Sequence, residues 1–239
     1  MSTLAQLPQL NATHTVSEAQ KQEYRKNGHT LLRHILTEDE MAAYRPVIND
    51  AAYRYNKRKM EERDTYGKAF LQIMNLWEVD EPIRNFVLAK RFAKIAAELM
   101  GVENVRLYHD QALYKEPGGG PTPWHQDQYY WPLDTANTIT MWMPLVDITV
   151  DMGMLTFASG SQELGFMGNL EISDESEEAL GNVVKEKGYP VTRATAMKAG
   201  DATWHAGWTL HNAPGNHSAK MREVMTLIFF ADGAKVTEP

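Results

Sequence analysis

The 239 residues carry 31 acidic against 24 basic side chains, a formal net charge of −7, which argues against nucleic acid as the main partner because phosphate binding needs a basic surface. With 43% apolar and 10% aromatic residues, the chain can build a sizeable core and is far from a disordered composition. There is no cysteine, so disulfides, thiolate metal sites and cysteine nucleophiles are excluded together, and any metal must be held by histidine and carboxylate.

No run reaches eighteen apolar residues, and the opening Met1–Pro8 lacks the charged and apolar regions of a signal peptide. A cytoplasmic protein is the expectation. Residues 1–15 are polar and weakly patterned and read as a loose arm. Ser17 and Gln20 form a capping-box pattern that opens a short helix ending at Asn27-Gly28, and His29–Leu36 reads as a strand. Thr37 and Glu40 repeat the box ahead of a longer helix with Met41, Tyr44, Val47, Ile48 and Ala51 at helical spacing. The tail of that stretch, residues 57–64, mixes both charge signs and reads as a solvated face. Asp80 and Pro82 open a third helix, which carries Ile83, Phe86, Val87, Phe92, Ile95, Ala96 and Leu99 toward a stop at Gly101.

From Val105 the spacing of apolar residues changes from helical to strand-like. Val105–Lys115 reads as a strand, residues 116–123 as a loop rich in glycine and proline, and Thr138–Ile148 and Gly153–Ala158 as further strands. Residues 163–188 interrupt the pattern with Glu171, Asp174, Glu175, Glu177 and Glu178 in close succession, and read as an insert that forms a lid. Short strands return at Asp201–His205, Trp208–His211 and Arg222–Phe230. No repeat and no linker is visible, so residues 1–239 are expected to form one domain. Helices first and short antiparallel strands afterwards imply an α+β fold. Its catalytic core would be a double-stranded β-helix (jelly roll), with the N-terminal helices packed on one sheet.

Trp124-His125-Gln126-Asp127 stands between the glycine-rich loop and an aromatic cluster. A lone His-x-Asp pair is weak evidence, and a surface ion pair is its commoner meaning. Residues i and i+2 of an extended segment share a face, however, so His125 and Asp127 can reach one metal while Gln126 points away. His211 is followed by a turn, Asn212–Asn216, and by a strand starting near Arg222. A hairpin of that kind would bring His211 and Arg222 to flank one pocket. Two imidazoles and one carboxylate are the ligand set of the facial triad that holds non-haem Fe(II) with open positions.

Arg222 shares a strand face with Val224, Thr226, Ile228 and Phe230, an inward-looking set in which a guanidinium needs an anionic partner. The charges of Fe(II), Asp127, a dicarboxylate such as 2-oxoglutarate and Arg222 cancel, which a dry site tolerates. His205, in the aromatic stretch Thr203–Trp208, is the rival third ligand. The turn and the arginine spacing favour His211, and His205 reads as a core histidine or one standing behind the ligands. His14, His29, His34, His109 and His217 have no such company and read as surface or core residues.

Together these residues resemble the phytanoyl-CoA dioxygenase-like family of Fe(II)/2-oxoglutarate oxygenases over residues 15–232. The likeness is carried by Tyr114–Pro117, Trp124–Asp127, Thr140–Leu145, Gly153–Ser161, and Gly200-Asp201 through Arg222. It implies that His125, Asp127 and His211 hold the iron and that Arg222 clamps the C5 carboxylate of 2-oxoglutarate with its planar fork. It also implies that Trp142 and Gln111 line the cosubstrate pocket, with Gln72 and Asn75 near a further contact. Some members place a serine against 2-oxoglutarate two residues after the distal histidine. That position is Ala213 here, so Thr140, Gln72 or Asn75 has to compensate. Related halogenases lack the carboxylate that Asp127 supplies, so an oxygenase is implied, using Fe(II), 2-oxoglutarate and O2 and releasing succinate and CO2.

Tyr129, Tyr130, Trp131, Phe157 and Trp204 offer an apolar wall for a substrate, although about half of such aromatics serve plain core packing. A CoA ester would need Lys or Arg at the pocket mouth. The net charge and the acidic 163–188 insert oppose phosphate and point to a small or mid-sized apolar metabolite, hydroxylated or otherwise oxidised. A monomer or homodimer with no nucleic-acid or membrane partner is expected. The other reading is a metal-binding jelly roll without oxygenase activity, such as a cupin-like isomerase or a sensor. Succinate release and the need for Arg222 separate the two.

Overall fold

The computed structural model describes residues 7–56 and 71–237. The solvated face expected at residues 57–64 lies outside them, as do residues 1–6 of the arm. Both capping boxes form: Ser17 caps α1 (Glu18–Asn27) and Thr37 caps α2 (Glu38–Tyr55). The first strand is shorter than its sequence suggests. β1 covers His29–Leu32, and the chain turns away at His34, whose φ is +55°, so that Ile35 and Leu36 donate to the Gly200 carbonyl instead. A single-turn helix, α3 (Leu76–Val79), precedes the expected third helix, which is itself broken into α4 (Glu81–Val87) and α5 (Lys90–Met100). Leu88 and Ala89 leave helical geometry between α4 and α5, which directs both Phe86 and Phe92 into the core, their ring centroids 5.1 Å apart.

β2 (Leu71–Met74), β3 (Val105–Tyr114), β5 (Thr138–Pro144), β10 (Ala202–Ala206) and β12 (Val224–Ala231) join β1 in an antiparallel sheet of order β1-β10-β5-β12-β3-β2. A second antiparallel sheet has the order β4-β11-β7-β8, built from β4 (Thr122–His125), β7 (Thr156–Ala158), β8 (Val191–Arg193) and β11 (His211–Ala213). β6 (Ile148–Thr149) and β9 (Ala196–Met197) pair as a short ribbon.

Alternation sorts the six-stranded sheet into two faces. Met141, Trp204, Met225 and Leu227 look outward and pack under Ile48, Phe86, Phe92 and Ile95 of the helices. Thr140, Trp142, His205 and Thr226 look inward, toward the second sheet. Between the sheets Trp142, Met152, Met154, Phe157, Ala213 and Val224 close one end of the roll. This is the jelly roll with helices on one sheet that the strand pattern implies.

Two segments depart from expectation. Within the arm, Leu10 is buried, Pro8 O accepts from the Tyr44 hydroxyl at 2.8 Å, and Ala12 O accepts from Arg91 Nε at 2.8 Å. From residue 8 onward the arm is therefore fastened, because its carbonyls satisfy buried donors. The expected lid divides. α6 (Asp174–Lys187) packs Leu180 and Val184 on the outer side of the second sheet against Trp124, Ala158 and Leu210, and the Glu177 carboxylate accepts from the Trp124 N–H at 2.8 Å. α6 buttresses β4, while Glu171 and Ile172 ahead of it reach the inter-sheet cavity.

Arg91 holds the helical layer together. Its guanidinium, 6% exposed, donates to both carboxylate oxygens of Glu40 at 2.7 Å, to Ile35 O at 2.9 Å and to the arm. Burial pushes the Glu40 pKa up, but the Arg91 hydrogen bonds and the helix cap outweigh it, and the net shift is downward. A depressed carboxylate contributes stability that is present above its unfolded pKa and lost as pH falls through the folded one. Glu40→Ala should therefore cost about 3–5 kcal/mol in chemical denaturation, because it strands a buried charge. It should also remove part of the destabilisation on acidification that the lowered Glu40 pKa predicts for the wild type. A cost below about 1 kcal/mol would place this pair among ordinary surface bridges.

Candidate metal centre

The second sheet sets two imidazoles side by side. His125, at the end of β4, lies opposite His211, which opens β11 and lies opposite Phe157 on β7. The two imidazole centroids are 4.1 Å apart. His125 Nδ1 is 2.7 Å from the Pro123 carbonyl and His211 Nδ1 is 2.9 Å from the Thr209 carbonyl. A carbonyl can only accept, so each ring carries its proton on Nδ1 and keeps a lone pair on Nε2.

Asp127 heads a short 3-10 helix, Asp127–Tyr130. Gln126 keeps extended backbone, and its amide points away to donate to the Gly165 and Trp208 carbonyls, both at 2.8 Å. Asp127 Oδ1 lies 3.5 Å from both His125 Nε2 and His211 Nε2. One ligand atom from each residue lies within 4.8 Å of the others. Three acceptors facing one point need a cation between them. A proton can serve: burial disfavours a charged His211, but the Asp127 carboxylate outweighs it and raises the His211 pKa. A metal ion serves better, and two nitrogens with one carboxylate oxygen suit Fe(II) with open positions.

The expected hairpin from His211 to Arg222 does not form. β11 belongs to the second sheet and β12 to the first, so the intervening chain crosses between them, yet both side chains line one cavity of about 710 Å³. The Arg222 backbone is bridged to Lys115, N–H to O at 3.0 Å and O to N–H at 2.9 Å. Its guanidinium, 2% exposed, sits 5.4 Å from the Trp142 ring and donates through Nη1 to Gly153 O at 2.5 Å. Burial lowers its pKa to about 9. Nε is buried with no partner, which leaves a donor for an anion. Position 153 requires glycine: its φ is +81°, and a Cβ would meet Pro214 O at 2.6 Å and Arg222 Nη1 at 3.3 Å.

Gln72, Asn75, Gln111, Thr140 and Trp142 line the same cavity, as do Tyr130 and Trp131. Of the residues considered as compensation for Ala213, Thr140 gives its hydroxyl to Asp127 Oδ2 at 2.9 Å, and the Gln72 amide donates to Gln111 at 2.7 Å. His205 stands behind the ligands, its Nε2 3.0 Å from Asp127 Oδ2. Three expected substrate residues are not brought to the cavity wall. Trp204 is fully buried under the helices because its neighbour His205 takes the inward position. Phe157 packs against His29, His205 and His211 at 4.4, 5.3 and 6.1 Å and braces those rings. Tyr129 stands edge-on to Tyr130 at 4.9 Å.

Tyr108 and His109 line the cavity without having been expected there. Ile228 pairs with His109 and Phe229 with Leu107, so Tyr108 is the extra residue of a β-bulge, and two consecutive side chains face inward. A bulge leaves no mark in hydrophobic spacing, and no signal in the sequence could have found it. Glu78 also reaches the cavity, from the single-turn α3.

Residues 24–224 match the family described as phytanoyl-CoA dioxygenase (PhyH). A relative from Stutzerimonas stutzeri, a probable alpha-ketoglutarate-dependent hypophosphite dioxygenase, is 21% identical over 230 residues, covering 90% of this chain and 79% of that protein. Among solved structures, the non-heme alpha ketoglutarate dependent carbocyclase SnoK from nogalamycin biosynthesis is 24% identical, with a TM-score of 0.79 over 95% of this chain and 90% of that one. The epimerase SnoN in complex with Fe3+, alpha ketoglutarate and nogalamycin RO is 22% identical, with a TM-score of 0.79 over 92% of this chain and 86% of that one. EctD from S. alaskensis, with 2-oxoglutarate and 5-hydroxyectoine, is 18% identical, with a TM-score of 0.75 over 94% of this chain and 81% of that one. At these identities the likeness is one of fold, and it matches the jelly roll described above.

Alanine at His125, Asp127 or His211 should abolish tight Fe(II) binding, measured anaerobically by calorimetry, while circular dichroism stays native. His205→Ala should retain the metal. Loss in His205→Ala with retention in His211→Ala would reverse the assignment of the third ligand.

Proposed function

The chain belongs to the phytanoyl-CoA dioxygenase family and is a non-haem iron, 2-oxoglutarate-dependent dioxygenase, and from that premise we propose that it oxidises a small, largely apolar metabolite carrying no CoA group. One juxtaposition carries the reading: a three-atom nitrogen and oxygen ligand set shares a cavity with a buried arginine whose Nε has no partner. Iron, when bound, supplies the activation of O2 and of the keto acid that no side chain here can perform. His125, Asp127 and His211 would hold it. Arg222, beside Trp142, would receive the distal carboxylate of 2-oxoglutarate, and Gln111, Gln72 and Asn75 would offer amides to the same molecule. The charges of metal, aspartate, cosubstrate and arginine cancel in this buried space.

Tyr108, Tyr130, Trp131 and Ile172 form apolar walls around the remaining volume, which suits a hydrophobic substrate and excludes water. The charge argument against CoA now rests on fewer residues than the whole insert. Glu78 and Glu171 line the cavity, while Asp174, Glu175 and Glu178 stand exposed on α6. Among the described lining residues Arg222 is the one Lys or Arg, and the cosubstrate would take it. Phosphates would therefore meet the Glu78 and Glu171 carboxylates and, among the described lining residues, no cation beyond Arg222. The reaction is hydroxylation or another oxidation of the bound metabolite. We propose a cytoplasmic monomer or homodimer, and among the described residues no helix is long and apolar enough to cross a membrane.

Arg222→Gln should leave Fe(II) binding intact and raise the 2-oxoglutarate KM roughly 30-fold or more, the equivalent of losing about 2–5 kcal/mol of a buried charge pair. An unchanged KM rejects the carboxylate clamp. In a coupled succinate assay, an acyl-CoA should stimulate turnover less than its free acid or non-ionic ring compounds. Stimulation by the CoA ester alone would reject the substrate class.

A further inference from the structure

The two oxygens of Asp127 have different surroundings. Oδ1 faces His125 Nε2 and His211 Nε2, both at 3.5 Å. Oδ2 faces the six-stranded sheet and meets two donors there, Thr140 Oγ1 at 2.9 Å and His205 Nε2 at 3.0 Å. Thr140 and His205 are register partners on β5 and β10, so they stand side by side on one face and both reach one atom. Both are buried, His205 to 1% exposure. An ionised carboxylate cannot donate, so His205 carries its proton on Nε2. Its Nδ1 has no partner that would draw the proton to the other side of the ring. A carboxylate oxygen offers two lone pairs, and these two donors engage both.

We propose that His205 and Thr140 are positioning residues that hold Asp127 Oδ2 away from the metal, so that the aspartate presents Oδ1 alone. This proposal rests on the iron and 2-oxoglutarate reading above and adds how the number of open positions is set. A carboxylate binds a divalent ion through one oxygen or through two. A second Asp127 oxygen on the metal would take a position that the cosubstrate or O2 requires. The imidazoles of the second sheet do not restrain Oδ2. The six-stranded sheet does, from the opposite wall of the cavity. A pair that merely tied the sheets together would change stability and leave the metal's surroundings as they were.

The test uses the full chain loaded with Co(II), whose visible absorption reports coordination number, with 2-oxoglutarate titrated into it. Thr140→Val keeps the side-chain shape and removes the hydroxyl, His205→Leu removes the ring donor, and His205→Gln retains an N–H donor. The double variant Thr140→Val/His205→Leu should still take up Co(II), but with an altered spectrum and a 2-oxoglutarate half-saturation raised about tenfold or more, the range for loss of groups that orient metal ligands. His205→Gln should stay near wild type on both readouts. If the double variant does not fold, Thr140→Val alone carries the comparison, with a smaller shift in the same direction. A wild-type spectrum and half-saturation in the double variant overturn the proposal, as does a His205→Gln that shifts as far as His205→Leu. Wild-type protein that takes up neither Co(II) nor 2-oxoglutarate would overturn the functional reading, and the positioning role with it.

Discussion

Asp127 sits where the two sheets of the roll approach each other, its carboxylate 21% exposed and surrounded by three imidazoles and one hydroxyl. An ion in such a place is costly unless donors and cations surround it. Burial pushes its pKa up, but the His211 charge and the histidine hydrogen bonds outweigh that and hold it well below the usual carboxylate range. Those partners come from both walls. His125 and His211 belong to the four-stranded sheet, His205 and Thr140 to the six-stranded one. The registers of β4 with β11 and of β10 with β5 therefore bear directly on the geometry at one carboxylate. A slip of one residue in either pair would turn a histidine to the wrong face.

A second buried basic residue lies beside Arg222. Lys115 is fully buried beside Arg222 and donates to Gly120 O at 2.7 Å, Pro214 O at 3.0 Å and the Thr122 hydroxyl at 3.3 Å. Burial, then the Arg222 charge, lowers its pKa to about 6, and of these two residues it is Arg222 that lines the cavity. The strand that presents Arg222 is itself tethered, since the next residue, Glu223, accepts from Arg45 of α2 at 2.7 and 2.9 Å. The helical layer thus reaches the cosubstrate end of the site through a single peptide bond. This links the packing of α2 on the outer face to an arginine on the inner one.

Local chemistry was legible in the sequence, and long-range geometry was legible where it follows from alternation. Ser17 with Gln20 and Thr37 with Glu40 are self-contained signals, and both boxes form where their residues stand. His125 and Asp127 share a face, with Gln126 turned away, because the backbone at Gln126 stays extended. Events that keep composition and change register were not legible. The bulge at Tyr108 brings two consecutive residues to the cavity, and the break at Leu88–Ala89 divides a continuous helical pattern. The turn after His211 reads as a hairpin because turn residues look alike whether the next strand joins the same sheet or the other one. The acidic run of α6 reads as a lid for a similar reason. Leu180 and Val184, which dock the helix behind β4, are too few to announce which surface they cover.

Joining the metal ligands to Arg222 in one function makes a strict demand: the cosubstrate must bind across both, and so must need both. Anaerobic calorimetry of 2-oxoglutarate binding to the Fe(II)-loaded and the metal-free protein tests this directly. The expected result is one 2-oxoglutarate per chain in the presence of iron and weak or undetectable binding without it. Equal binding with and without iron, or no binding to the iron-loaded protein, would contradict the assignment of His125, Asp127, His211 and Arg222 to a single site.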